Sequence, residues 1–271
     1  APHHSAYRYG SIPPELSAQK GLFVKNQLIT DFEYPVSRIA DIPAASHEKN
    51  TSRQEFVLSF SDDLSHHAID IKFTYTGDEA SNYKTALHWT TEQQRRDLLG
   101  EVVDYMATGA EIDQLIIKQA DIDANNWNEP FIVSAELRSP AFLERAGPAL
   151  LFKLGDVIGP QPGLYEVSER KFEVEQMSNK TYYRNIRVEL PKGYAIHNLD
   201  DIRREEVVTD GDEEIFVFRT DYTLDGNVLN VSIEESYRRI FFPSARFEEF
   251  RRVINAAADW NKVILVLRPN G

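Results

Sequence analysis

Between residues 69 and 75 the chain alternates strictly, with Ile69, Ile71, Phe73 and Tyr75 on one side and Asp70, Lys72 and Thr74 on the other. Successive side chains of a strand point to opposite faces, so this pattern specifies a half-buried β-strand. A helix would scatter the same apolar residues around its circumference. Phe56, Leu58 and Phe60 repeat the period just before, across the polar turn Ser61-Asp62-Asp63, and the two segments together read as a β-hairpin.

The first fifty residues read differently. An apolar patch at Leu22-Phe23-Val24 and Leu28-Ile29 is punctuated by Pro13, Pro14, Gly21, Pro35 and Pro43, which predicts short edge strands and a linker. After the hairpin, Thr90 or Thr91 is placed to cap a helix near 91–108, with Gln93 or Gln94 reaching back and Leu98, Leu99, Val102, Val103 and Met106 on its inward face before Gly109. Two β-like segments, Ile112 to Ile122 and Phe131 to Leu137, flank a polar loop at Asp123-Ala124-Asn125-Asn126.

Glycines and prolines from Gly147 to Gly163 surround the apolar stretch Leu150 to Ile158, and we place a module boundary there, near Gly159. At 271 residues the chain exceeds the usual ~100–150 of one domain. Two modules are therefore expected, 1–158 and 159–271, with one large all-β unit as the alternative. In the second, Tyr182 to Leu190, Ile215 to Tyr222 and Val228 to Tyr237 read as strands, with Asp210-Gly211 and Asp225-Gly226 as tight turns. Ser244 is placed to cap a helix near 245–258 with Phe247, Phe250, Val253, Ile254 and Ala257 inward, before a buried strand at Val263 to Leu267. The expected fold class is α+β and β-rich: two sandwich-like antiparallel-sheet modules, each with one covering helix.

Forty-three acidic against thirty basic residues give a net charge of −13, which repels phosphate backbones and argues against nucleic-acid binding. No apolar run approaches the ~18 residues of a membrane span. The chain opens on Ala1-Pro2-His3-His4, with neither initiator Met nor signal peptide, so an excised or processed product is expected.

With no cysteine, thiol nucleophiles, disulfides and zinc-thiolate sites are excluded. The histidines occur as His3-His4, His66-His67, His47, His88 and His197, without the i, i+4 helical pair of a zincin. Solvated or edge histidines are the expectation, with no metal and no cofactor. Asp62-Asp63 and Asp200-Asp201 are paired carboxylates, but turn chemistry explains them better than glycoside hydrolysis, and no catalytic residue is assigned. The aromatics Trp89, Trp127, Tyr182, Tyr183, Tyr194 and Tyr237 are candidates for a platform against sugar rings or peptide side chains. Trp127 leads, with Trp89 and Tyr194 as further ligand-binding candidates.

Residues Arg187-Val188-Glu189-Leu190-Pro191-Lys192-Gly193-Tyr194 precede two long strands. Then come Tyr237-Arg238-Arg239-Ile240-Phe241-Phe242-Pro243, Arg246-Phe247-Glu248-Glu249-Phe250-Arg251 and Asn261-Lys262-Val263-Ile264-Leu265. This order resembles the C-terminal region of bacterial multidomain proteins in which a domain of unknown function precedes a transglutaminase-like, papain-type thiol domain. Gly10-Ser11-Ile12-Pro13 and Gly21-Leu22 resemble the segment that leaves the thiol domain, so the similarity extends over most of the chain and is diffuse over 50–150.

The catalytic Cys, His and Asp of that domain cannot be carried over, since this sequence has no Cys. The resemblance implies a non-catalytic accessory region that supports an upstream transglutaminase-like domain of the same polypeptide or contacts its protein or peptide substrate. It also implies export to the periplasm or outer surface of a Gram-negative bacterium. Two other readings stand beside it: an independent carbohydrate- or peptide-binding module, and a carboxylate-based glycoside hydrolase.

Overall fold

The computed structural model describes residues 12–106, 109–122, 127–167 and 169–270, with backbone alone at 104–106. The Asp123 to Asn126 loop, His3-His4, Gly10-Ser11 and the Met106 side chain lie outside the described residues.

A hairpin of β1 (Lys20–Ile29) and β2 (Phe32–Asp41) comes first. The alternating segments follow as β3 (Thr51–Phe60) and β4 (His67–Tyr75), then helices α1 (Gly77–His88) and α2 (Glu92–Met106), then β5 (Glu111–Lys118) and β6 (Phe131–Ser139). Short strands β7 (Leu143–Ala146), β8 (Ala149–Phe152) and β9 (Val174–Glu175) lead into β10 (Lys180–Glu189) and β11 (Tyr194–Ile196). The remainder is β12 (Arg204–Asp210), β13 (Glu213–Asp225), β14 (Val228–Tyr237), β15 (Phe241–Phe242), α3 (Phe247–Trp260) and β16 (Leu265–Pro269).

The fold is α+β and β-rich. Its centre is an eight-stranded sheet in the order β12-β13-β14-β10-β3-β4-β6-β5. Neighbouring strands run antiparallel except at one seam, where β10 and β3 run parallel from Thr181 beside Thr51 to Glu189 beside Ser59. This corrects the expectation of wholly antiparallel sheets. Two ladders cross the expected boundary near Gly159: β3 joins β10, and β8 joins β16 in a four-stranded sheet ordered β11-β16-β8-β7. One contiguous apolar core runs under both sheets, with Phe60 edge-on to Phe152 at 5.7 Å between them.

Four local expectations change. The first part of the chain carries two helices, not one: α1 buries Ala80, Lys84 and Leu87 on one face. Thr91 and Gln94 form a reciprocal capping box on α2, the Thr91 N–H donating to Gln94 Oε1 at 2.8 Å and the Gln94 N–H to Thr91 Oγ1 at 3.2 Å. Leu99 and Val103 face inward there, while Leu98 and Val102 are exposed. Ser244 begins a 3-10 turn ahead of α3 and makes no side-chain cap, although α3 presents Phe247, Phe250, Val253 and Ala257 inward as expected.

The fourth change concerns the lead-in. Its linker and short edge strands are in fact one hairpin of ten-residue strands, exposed on both sides. Leu22, Val24 and Leu28 of β1 share one face with Ile39 of β2. Phe23 and Ile29 share the other with Phe32, Tyr34 and Val36. Prolines did not stop the strands because Pro35 sits opposite Asn26, where its missing N–H breaks no rung of the ladder.

Candidate functional site

An open cavity of about 920 Å³ lies where β3 begins and α1 starts. Trp127 and Glu129 wall one side, the first turns of α1 with Asp78 and Ser81 another, and Lys49, Arg53 and Ile12 the rest. Its size falls within the range of small-molecule and peptide sites.

The corner is built by polar bonds that the backbone cannot supply. Gly77 has φ +60, and a Cβ there would stand 2.5 Å from the Lys49 carbonyl oxygen, so only glycine lets the chain pass from β4 into α1. The first turn of α1 is held from outside the helix: the Glu79 N–H donates to Asn50 Oδ1 at 3.3 Å. The Asn50 amide in turn donates to the Asn179 carbonyl at 2.8 Å and Ser178 Oγ at 3.0 Å, tying the cavity wall to β10. Thr76 Oγ1 accepts the Thr51 N–H at 3.0 Å.

The Trp127 loop is fastened by Lys84, whose buried ammonium donates to the Glu129 carbonyl at 2.7 Å. Burial lowers the Lys84 pKa, and the Glu129 charge opposes that shift. Burial pushes the Asp78 carboxyl up, and the charges of Glu79 and Glu15 add to the effect. Arg53 places its guanidinium over the Tyr183 ring, 4.4 Å from the centroid, so one tyrosine face is already occupied. The wall thus combines an indole, apolar alanines, two cations and the acids Glu48, Asp78 and Glu129.

Of the three expected ligand-binding aromatics, only Trp127 lies in this cavity. Trp89 caps the far end of α1 and is 85% exposed, about 18 Å along the helix from Gly77. Tyr194 sits on β11 opposite Pro269, half-buried against the core of the second sheet. Tyr182 and Tyr237 are also packed: Tyr182 lies against Arg184 and Lys180, and the buried Tyr237 hydroxyl donates to Glu235 at 2.6 Å. The pattern therefore found one wall of the cavity and missed Arg53 and Asp78, as well as Lys84, which fastens the loop behind it. The signal that was present is Gly77 followed by Asp78 and Glu79 after a strand, which marks a helix start.

The other polar constellations are structural. His47 Nδ1 lies 2.8 Å from Thr181 Oγ1, which lies 2.7 Å from Ser236 Oγ. A histidine beside a hydroxyl suits nucleophile activation, but Thr181 and Ser236 are both 0% exposed and no substrate reaches them. His67 corrects the expectation of edge histidines: it is a core residue whose Nε2 accepts the Phe142 N–H at 3.4 Å, and burial lowers its pKa to about 4. Asp63 accepts from Ser61 Oγ at 2.7 Å and from the Ser65 N–H at 3.0 Å within its turn, and these bonds draw its pKa down to about 2. Among the described residues, no three metal-ligating side chains converge. No described helix is long and apolar enough to cross a membrane.

Compared with known families and curated proteins, the chain matches no family model and no curated protein.

Proposed function

We propose that this chain is a non-catalytic accessory region of an exported bacterial transglutaminase- or protease-like protein, and that it holds polypeptide near the thiol domain. The observation that carries the reading is the cavity at the start of α1. It offers an indole, alanine walls and charges of both signs, which suits a peptide with mixed side chains. Ile12, from the segment that resembles the exit from the thiol domain, lines the same cavity as Trp127. A domain placed ahead of residue 12 is then tethered beside it. Periplasmic or extracellular localisation follows from the same resemblance.

The test compares the chain alone with the longer polypeptide. The chain alone shows no amidase, peptidase or acyl-transfer turnover, and Trp127→Ala in the longer protein raises KM for polypeptide substrate while kcat holds. Turnover by the chain alone, or a KM indifferent to Trp127, overturns the reading.

A second reading is favoured by the acids that share the cavity with Trp127: an independent carbohydrate- or peptide-binding module. A glycan and peptide array probed with the wild-type chain and Trp127→Ala decides it. Glycan cleavage abolished by Asp78→Asn points instead to a carboxylate-based hydrolase.

A further inference from the structure

Among the described residues the β1–β2 hairpin meets no third strand, and both of its faces carry exposed apolar side chains. Two-stranded ribbons of this kind are marginal in water without another strand or a covering layer. Its two outer edges differ chemically. The two-residue turn at Thr30 and Asp31 makes Ile29 and Phe32 a hydrogen-bonded pair, and the Ile42 N–H bond to the Gln19 carbonyl at 2.8 Å keeps the same phase at the base. Alternation then places Asn26 and Pro35 in a non-hydrogen-bonded pair, so the proline's missing N–H faces outward. The outer edge of β2 is therefore guarded. That of β1 is open among the described residues, with Lys20, Leu22, Val24, Asn26 and Leu28 turning N–H and C=O groups outward.

We propose that this open edge pairs antiparallel with β1 of a second copy of the chain, centred on Val24. The outward-facing set is symmetric about that residue: Leu22 meets Asn26 of the second copy, Lys20 meets Leu28, and every outward group finds a partner. The same register sets Phe23 opposite Lys25 and keeps the two Lys25 ammonium groups apart. The result is a four-stranded sheet with Pro35 guarding both of its outer edges.

Charge at the arm permits a second copy. Residues 20–41 hold three basic side chains (Lys20, Lys25, Arg38) and three acidic ones (Asp31, Glu33, Asp41), so the arm is neutral within a chain of −13. Two bodies of that charge repel, but ten-residue strands reach about 34 Å and join the copies well beyond the ~10 Å screening length. Edge pairing sets the exposed Leu22, Val24 and Leu28 of both copies on one face of the joined sheet and Phe23 and Ile29 of both on the other, so cross-strand side-chain contacts add to the backbone ladder.

The absence of cysteine makes the test direct. Hydrogen-bonded antiparallel pairs hold their Cα atoms about 5.5 Å apart, inside the disulfide range. Val24→Cys gives a disulfide-linked dimer on mild oxidation, while Ser37→Cys, on the guarded edge, stays monomeric on a non-reducing gel. The wild-type chain sediments at twice its monomer mass. Val24→Pro, which removes only an outward N–H, loses the dimer with unchanged thermal unfolding of the body. A monomeric wild type, equal cross-linking at both cysteines, or a dimer indifferent to Val24→Pro overturns the proposal.

Discussion

The Arg184 guanidinium donates to the Glu235 carboxylate at 2.7 Å, and the two side chains are only 5% and 7% exposed. Arg184 also donates through Nε to Gln54 at 3.2 Å, so one side chain bridges β14, β10 and β3 across the parallel seam. Removing one partner leaves a buried charge unpaired, which typically costs about 3–5 kcal/mol. Glu235→Ala is expected to lose that much in urea unfolding, and Arg184→Leu with Glu235→Leu to recover most of it. A double-variant loss equal to the sum of the two single-variant losses would show the pair to be uncoupled.

Gly77 holds a left-handed backbone with the Lys49 carbonyl close by. Gly77→Ala is expected to destabilise by on the order of 1–3 kcal/mol through backbone strain. Loss of the peptide binding proposed for the Trp127 cavity should accompany it, because the helix start and the cavity wall are one piece. Thermal unfolding together with ligand titration checks both halves of this expectation.

His67 is buried in its neutral form, with its pKa lowered from 6.5 to about 4. The unfolded chain therefore binds a proton that the folded chain refuses between those values, so stability falls as pH drops from 6.5 towards 4. The penalty is on the order of 3 kcal/mol at pH 4, since each tenfold loss of proton affinity is worth ~1.4 kcal/mol. His67→Gln removes this part of the pH slope. A variant whose melting temperature follows the wild-type pH curve would contradict the assignment.

Thr30 turns the β1–β2 hairpin with φ +55, a conformation that a β-branched residue adopts at a cost. Thr30→Gly is expected to steady the arm by about 1 kcal/mol. The readout is slower hydrogen exchange at Phe23, Lys25 and Gln27, whose amides close the ladder.

Local pattern made the β3–β4 and β13–β14 hairpins and the inward face of α3 legible, because each rests on spacing within a few residues. Helix α1 was hidden by Lys84. Its buried stripe is Ala80, Lys84 and Leu87, and a lysine at the middle position reads as polar even though its ammonium is consumed by the Glu129 carbonyl. Strand β10 was legible, but its partner was not. Alternation reports which face is buried and says nothing about whether Thr181 lies beside Thr51 or some other strand. The candidate site divided in the same way. Trp127 stood out by residue type, whereas Arg53 and Asp78 acquire meaning only when β3, α1 and the 127–129 loop converge.

The parallel seam has a bearing on how the chain reaches its native state. During synthesis β3, β4 and β6 are complete long before Lys180 is made, so the Thr51–Phe60 edge waits uncovered while well over a hundred further residues emerge. Closing so large a loop is slow, and an unpaired strand exposed in the meantime invites misassembly with neighbouring chains. Final assembly therefore depends on late-arriving residues, and a nascent polypeptide stalled before position 180 has no native means of shielding its central strand.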